Sequence, residues 1–225
     1  MSAPLAPRPL FGGAIALALP QDSIDASDLR QIPDNQEVFL FPHSDTALVL
    51  EVLELVEEGG AKDDLWEAAK WVQGESRGCG WLINMGRFHF GSIAHDNASL
   101  SSTIFTSPPS SPIPSTPSTS TPSQIKATTL AGTQQIHKFS HDPTGAPREG
   151  HEADVPDQVW IGLALWRVWI EGAAGRKKAD VVLSVNVNLS AEGGEGAKEQ
   201  HLVEGWFAQA VDSFKVEEFG LFGDV

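Results

Sequence analysis

The run Val159 to Ile170, VWIGLALWRVWI, limits the possible folds more than any other stretch of the chain. Successive side chains of a strand point to opposite sides, and here both sides are apolar: Trp160, Gly162, Ala164, Trp166 and Val168 on one, Ile161, Leu163, Leu165 and Trp169 on the other. A strand of this kind has to be central and covered on both faces. Val181 to Leu189 is its natural partner, with Val181, Leu183, Val185, Val187 and Leu189 on one face, Ser184, Asn186 and Asn188 on the other, and Gly172 to Lys178 as the connecting turn. Thr128 to Phe139 alternates more loosely and reads as a further strand. A closing helix over Leu202 to Lys215 gathers Leu202, Trp206, Phe207, Ala210, Val211 and Phe214 on one stripe, which suits a helix lying on a sheet. The pattern predicts an α+β fold, a largely antiparallel β-sheet flanked by helices.

The first quarter of the chain adds three strand-like runs, Leu10 to Leu19, Glu37 to Phe41 and Ala47 to Val56. Residues Met1 to Pro9, with Pro4, Pro7 and Pro9, read as a flexible leader. Arg8 followed by an apolar run faintly imitates a signal peptide, but Gly12 and Gly13 interrupt it. Ser23 or Asp25 can cap a short helical turn ending at Leu29, Pro33-Asp34-Asn35 forms a turn, and Pro42 to Asp45 closes an antiparallel hairpin. The run from Leu48 to Leu53 also suits a buried helix; read as a strand, it sends Glu51 and Glu54 to opposite faces.

After Gly59-Gly60, Asp63 or Asp64 caps a helix that begins Leu65-Trp66-Glu67-Ala68-Ala69-Lys70. Trp71 to Arg87, WVQGESRGCGWLINMGR, then breaks the helical text, and joining Lys70 to Phe88 restores it. A retained intron or wrong gene model explains the block, with a genuine loop as the alternative. Residues 101 to 123 are almost exclusively Ser, Thr and Pro and should be a disordered loop. Ser107-Pro108, Ser111-Pro112, Thr116-Pro117 and Thr121-Pro122 fit proline-directed phosphorylation, although a passive spacer is the simpler reading. The expected plan is a leader over 1–9 and a single domain over 10–225, interrupted by 71–87 and 101–123.

With 30 Asp and Glu against 15 Lys and Arg in 225 residues, the formal charge is -15. Such a chain repels nucleic-acid phosphates and anionic membranes and favours a basic protein partner. Cys79 is the only cysteine, so no disulfide can close within the chain, which suits the reducing cytosol or nucleus. No window approaches the roughly 20 apolar residues that span a bilayer. The sequons at Asn97 and Asn188 read as chance matches. Gly74-Glu75-Ser76-Arg77-Gly78 fits the nucleophile-elbow pattern but follows a helix instead of a strand. The seven histidines show no metal-ligand spacing, and the tryptophans fall on strands and helices as core residues. No metal or cofactor is expected.

The remaining candidate is the polar connector between the first two runs. Asp25, Asp28, Asp34 and Glu37, with Glu51 and Glu54 on the next strand, would form one outward negative face that steers and docks a basic surface. Spacing alone favours plainer roles: Asp25 or Asp28 as a helix cap, Asp34 and Asn35 as turn residues, the glutamates as solvated charges.

Three words in this region, LFGGAI, IDASDLR and PDNQEVF, followed by an aliphatic run carrying Glu51 and Glu54, resemble the Ran guanine nucleotide release factor family, the Mog-type Ran-binding proteins. The resemblance implies an α/β/α sandwich of the kind shared with photosystem II extrinsic-like domains. It implies a monomer that binds the GTPase Ran, GTP-bound or nucleotide-free, releases its nucleotide without a covalent step, and supports nuclear import in nucleus and cytoplasm. It carries the partner-binding role to Asp25, Asp28, Arg30, Asp34, Asn35, Gln36, Glu37, Glu51 and Glu54, with Arg30 orienting the carboxylates through an ion pair. An acidic scaffold for some other basic protein is the first rival, and a small-ligand enzyme on the same fold is the second.

Overall fold

The computed structural model describes residues 4–70, 89–110, 113, 125–140, 142–172 and 175–218. Ten strands, β1 (Leu5–Leu10), β2 (Ile15–Pro20), β3 (Ile24–Asp25), β4 (Gln36–Leu40), β5 (Ala47–Leu53), β6 (Ser101–Ile104), β7 (Ala127–Ile136), β8 (Asp157–Gly172), β9 (Gly175–Asn188) and β10 (Lys215–Val216), accompany three helices among the described residues. The helices are α1 (Leu65–Ala69), α2 (His89–Asp96) and α3 (Glu195–Asp212). Seven strands form one antiparallel sheet in the order β3-β4-β5-β9-β8-β7-β6, and β1-β2-β10 form a second, three-stranded sheet.

The doubly apolar run is β8, third from the β6 edge of the large sheet, and its alternation is used as the sequence predicts. Trp160, Ala164, Trp166 and Val168 enter a core with β2 (Ile15, Leu17, Leu19), Phe39, Leu48, Leu50 and the buried side of α3, namely Val203, Trp206, Ala210 and Val211. Ile161, Leu163 and Leu165 enter a second core with Leu65, Trp66, Ala68, Ala69 and Phe90. Thus α3 and the small sheet cover one face, and α1, α2 and the 3-10 turn Gly59–Lys62 cover the other. Phe214 stacks on Trp166 with ring centroids 4.3 Å apart, which fixes the end of α3 to β8. Asp64 caps α1, its Oδ1 accepting the Trp66 N–H at 3.0 Å.

Several boundaries differ from the sequence reading. The run Leu10 to Leu19 is not one strand: Phe11, Gly12 and Gly13 all have positive φ (51°, 65° and 97°), and this left-handed turn folds β2 back onto β1. Residues 5–9 are therefore not a loose leader. They form β1, an edge strand, where Pro7 and Pro9 are tolerated because one side of the strand has no ladder partner. Residues 101–104 are ordered as β6 despite their polar text, since an edge strand needs little burial and Leu100 N already bonds to Gln135 O at 2.8 Å. The expected Gly172–Lys178 turn shrinks, because β8 and β9 stay paired up to Gly172 opposite Gly175. Helix α3 starts at Glu195, two turns before the apolar stripe that announces it. The block 71–87, with its G-x-S-x-G match and Cys79, most of 111–124, and the closing Phe219 to Phe222 lie outside the described residues.

Candidate functional site

The polar connector folds along the β3 edge of the large sheet. β3 pairs only through Ile24 with Leu40 and Asp25 with Phe39, after which residues 26–28 make a 3-10 turn. Asp25 is the cap of that turn, its Oδ1 accepting the Ser27 N–H at 2.8 Å. Asp28, Leu29 and Arg30 follow on an exposed stretch. Gln36 N bonds to Pro33 O at 2.9 Å, closing the turn that presents Asp34 and Asn35 and starts β4. Among the described residues Arg30 makes no ion pair, so its expected role in orienting carboxylates is not found.

The register of β4 and β5 decides where the other candidates point. Gln36 stands opposite Glu51, and Glu37 opposite Leu50. Because neighbours along a strand alternate, Glu37 lies on the face of Phe39 and Leu50, while Gln36 and Glu51 lie on the other face. Gln36 Nε2 donates to Glu51 Oε1 at 2.5 Å, so these two side chains are engaged with each other. Burial raises the Glu51 carboxyl above the usual range, the Gln36 bond opposes this, and Asp96 adds to the rise. Glu54 is exposed just beyond the end of β5. The single negative face expected of all six carboxylates is therefore split by the two-residue period of the sheet. What remains together is Glu37 with Asp25, flanked by the exposed Asp28 and Asp34.

Glu37 is held from an unexpected direction. Its Oε1 accepts the main-chain N–H of Phe11 at 2.5 Å, which ties the left-handed turn of the small sheet to β4. Burial lifts the Glu37 carboxyl above its ordinary range; the Phe11 N–H works against the rise and the Asp25 charge adds to it. Arg8 on β1 supplies the local cation: its guanidinium lies 5.2 Å from the centre of the Phe39 ring and its Nη2 donates to Ser23 O at 2.8 Å and Gln21 O at 3.1 Å. The sequence reading placed Arg8 in the leader and so missed it.

Two apolar residues in the same connector were also missed. Leu29 is 67% exposed and Ile24 is 40% exposed. Their signal in the sequence is an isolated leucine and isoleucine in a run of Asp, Ser and Arg with no pattern that would bury them. An exposed leucine set among carboxylates has the composition of a docking surface, an apolar contact inside a polar rim.

A family model described as "Ran-interacting Mog1 protein" matches residues 8–188. The human Ran guanine nucleotide release factor is 60% identical over 47 residues, which is 21% of this chain and 25% of the relative. The Schizosaccharomyces pombe nuclear import protein mog1 is 36% identical over 97 residues, 43% of this chain and 40% of the relative. These two matches thus span a quarter and two-fifths of the relatives' lengths, whereas the Saccharomyces cerevisiae nuclear import protein MOG1 is 26% identical over 95% of this chain and 83% of its own. The crystal structure of the Saccharomyces cerevisiae Ran-binding protein Mog1p superposes with a TM-score of 0.60 at 22% identity, covering 99% of this chain and 100% of that one, and so shares the fold. With a family match running from residue 8 to residue 188, this chain belongs to the Mog1 family.

Proposed function

We propose that this protein binds the small GTPase Ran through the β3 edge and promotes release of its guanine nucleotide, in support of nuclear import. The surface comprises Asp25, Asp28, Asp34 and Glu37 as the carboxylate set, with Asn35 and Arg30 beside them and Leu29 as the apolar contact. Gln36 and Glu51, bonded to one another on the opposite face of the sheet, and Glu54, beyond the end of β5, stand outside that surface. The observation that carries this reading is the pairing of a half-buried, raised carboxyl at Glu37 with Asp25 beside an exposed leucine. A half-buried carboxylate with a second carboxylate beside it gains from an arriving cation, because docking offsets the cost of holding its charge there.

Exchange needs no covalent step in this scheme. The carboxylates compete with phosphate oxygens for the lysines of the GTPase and for its magnesium. A partner that prefers the nucleotide-free state must weaken nucleotide binding by the same factor. The protein acts as a monomer, in nucleus and cytoplasm, on GTP-bound or nucleotide-free Ran, and it works by binding instead of turnover.

The test is release of a fluorescent guanine nucleotide from purified Ran. The wild-type chain should accelerate release, and Asp34→Lys or Glu37→Lys should abolish the acceleration without unfolding the protein. Unchanged release with both variants removes this surface from the account. Capture of some different basic protein at low salt, with Ran left behind, favours the scaffold reading.

A further inference from the structure

A groove of about 600 Å³ opens between the β4–β5 turn, the end of β9 and the first turns of α3. It sits at the Leu40 end of β4, whereas Asp34 and Glu37 sit at its start. Five strand residues at about 3.3 Å each set Asp34 and Glu37 roughly 17 Å from it, while Asp25, opposite Phe39, is set apart by the two ladder steps from β3 to β5, about 10 Å. Asp45, Glu192, Glu195 and Glu199 line it against a single lysine, Lys198. Two of these charges are matched within the protein, Asp45 by Lys138 at 2.5 Å and Glu195 by Lys198 at 2.6 Å. Among the described residues Glu199 meets only the Ser44 hydroxyl, at 3.2 Å, and Glu192 has no ion pair.

The positive end of the α3 dipole accounts for Glu192 and Glu195, but the dipole fades within the first turn and Glu199 lies in the second. An independent feature points the same way. Thr46 lines the groove and is 2% exposed, yet its Oγ1 has no hydrogen-bond partner among the described residues. A buried hydroxyl left so is costly, and native proteins seldom retain one without a use. Val187 and Leu202 supply an apolar wall beside these groups.

We infer that the groove is a second docking site, distinct from the β3 edge, and that its occupant is a lysine side chain on an extended basic segment of a protein partner. The four-carbon stem lies along Val187 and Leu202, the ammonium donates to Glu199 and Glu192, and a third donor reaches the Thr46 hydroxyl. The site shares no residue with the proposed Ran surface and lies at the far end of β4 from Asp34 and Glu37.

The experiment titrates an acetyl-capped, lysine-containing Gly/Ser peptide into the full chain and follows amide resonances. Shifts are expected at Thr46, Asn188 and Gly196, with an affinity that falls as salt is raised. Glu199→Gln combined with Glu192→Gln should weaken binding about tenfold. Thr46→Val, which removes the hydroxyl and keeps the shape, should weaken binding severalfold while leaving the thermal midpoint unchanged or higher. A peptide carrying Nε-acetyl-lysine should not bind. The inference is overturned if no resonance moves, if the shifts fall only around Asp34 and Glu37, or if Thr46→Val and the double glutamine variant bind like the wild type.

Discussion

Arg167 and Asp180 face one another across the β8–β9 ladder and join side-on, Nε to Oδ1 at 2.7 Å and Nη2 to Oδ2 at 2.9 Å. Both are buried on the α1 side of the sheet. The remaining guanidinium donors reach Ala61 O at 2.7 Å and Val56 O at 2.9 Å, while His89 Nε2 lies 2.9 Å from Asp180 Oδ2. One ion pair therefore anchors both the segment after β5 and the start of α2. Asp180→Asn leaves an uncompensated buried guanidinium and should cost about 3–5 kcal/mol in urea denaturation, with the β3 edge intact. Burial alone would raise the Asp180 carboxyl, but the hydrogen bonds and charges of Arg167 and His89 prevail and hold it below the usual range. The stabilisation is thus complete above the ordinary aspartate value of about 3.9 and is lost as pH falls below it through the depressed folded value. Acid unfolding of the wild type should lose this contribution in that window, and Asp180→Asn should show a shallower slope there.

Glu37 separates structural from docking roles. Glu37→Gln retains an oxygen that accepts the Phe11 N–H but removes the charge, so the thermal midpoint should hold or rise while Ran-dependent nucleotide release falls. Glu37→Ala also loosens the turn and should lower stability by about 1–2 kcal/mol. Because the folded carboxyl is raised, its charged form disfavours folding above that value, and docking that needs the carboxylate should weaken as pH drops through it. An affinity series between neutral and mildly acidic pH, in which Glu37→Gln is flat, checks this.

Leu29→Asp tests the apolar contact. The side chain is largely exposed, so stability should change by no more than about half a kcal/mol. Ran binding should weaken by about tenfold, measured by the concentration needed for half-maximal nucleotide release. Equal activity of Leu29→Asp and wild type would leave the carboxylates without an apolar neighbour in the interface.

Gly196 fixes how closely α3 approaches β9. A Cβ there would stand 2.2 Å from Asn188 O and 2.7 Å from Leu189 Cα, both main-chain atoms with little room to move. Gly196→Ala should destabilise the protein by about 1–3 kcal/mol despite the better helix propensity of alanine. Gly205→Ala, where a Cβ meets nothing within 4 Å, is the matched control and should be neutral or stabilising.

Much of the fold was legible because it rests on alternation. The two faces of β8, the apolar side of β9 and the stripe of α3 follow from patterns local to each segment. The β4–β5 hairpin was equally plain, since Pro42 to Asp45 is rich in turn residues. What escaped depends on partners distant in sequence. Pro7 and Pro9 argue against a strand until β1 is known to be an edge. That Glu37 and Glu51 part company depends on register, which the shared acidity of the two residues conceals. The Phe11 to Glu37 bond spans 26 residues, and Arg167 sits unremarked in an apolar run until Asp180 is placed opposite it.

A shortened chain tests the proposed status of residues 71–87. Removal of the block should preserve the two cores and the rate of Ran nucleotide release, with an equal or higher thermal midpoint. Loss of the far-ultraviolet sheet signal in the deletion would make the block a required part of the domain.

The position of α1 gives that deletion its rationale and reaches further. The chain leaves the described structure after Lys70 and returns at His89, and the Leu65 amide bonds to Ile113 O at 3.0 Å beside the other long interruption. Lys70 and Ile113 both lie on the flank where α1 rests on β7 and β8, and β7 stands four ladder steps, about 19 Å, from β4. Extending a surface excursion costs free energy only logarithmically in its length. A change of chain length at this flank is thus mechanically insulated from the proposed docking edge at the other.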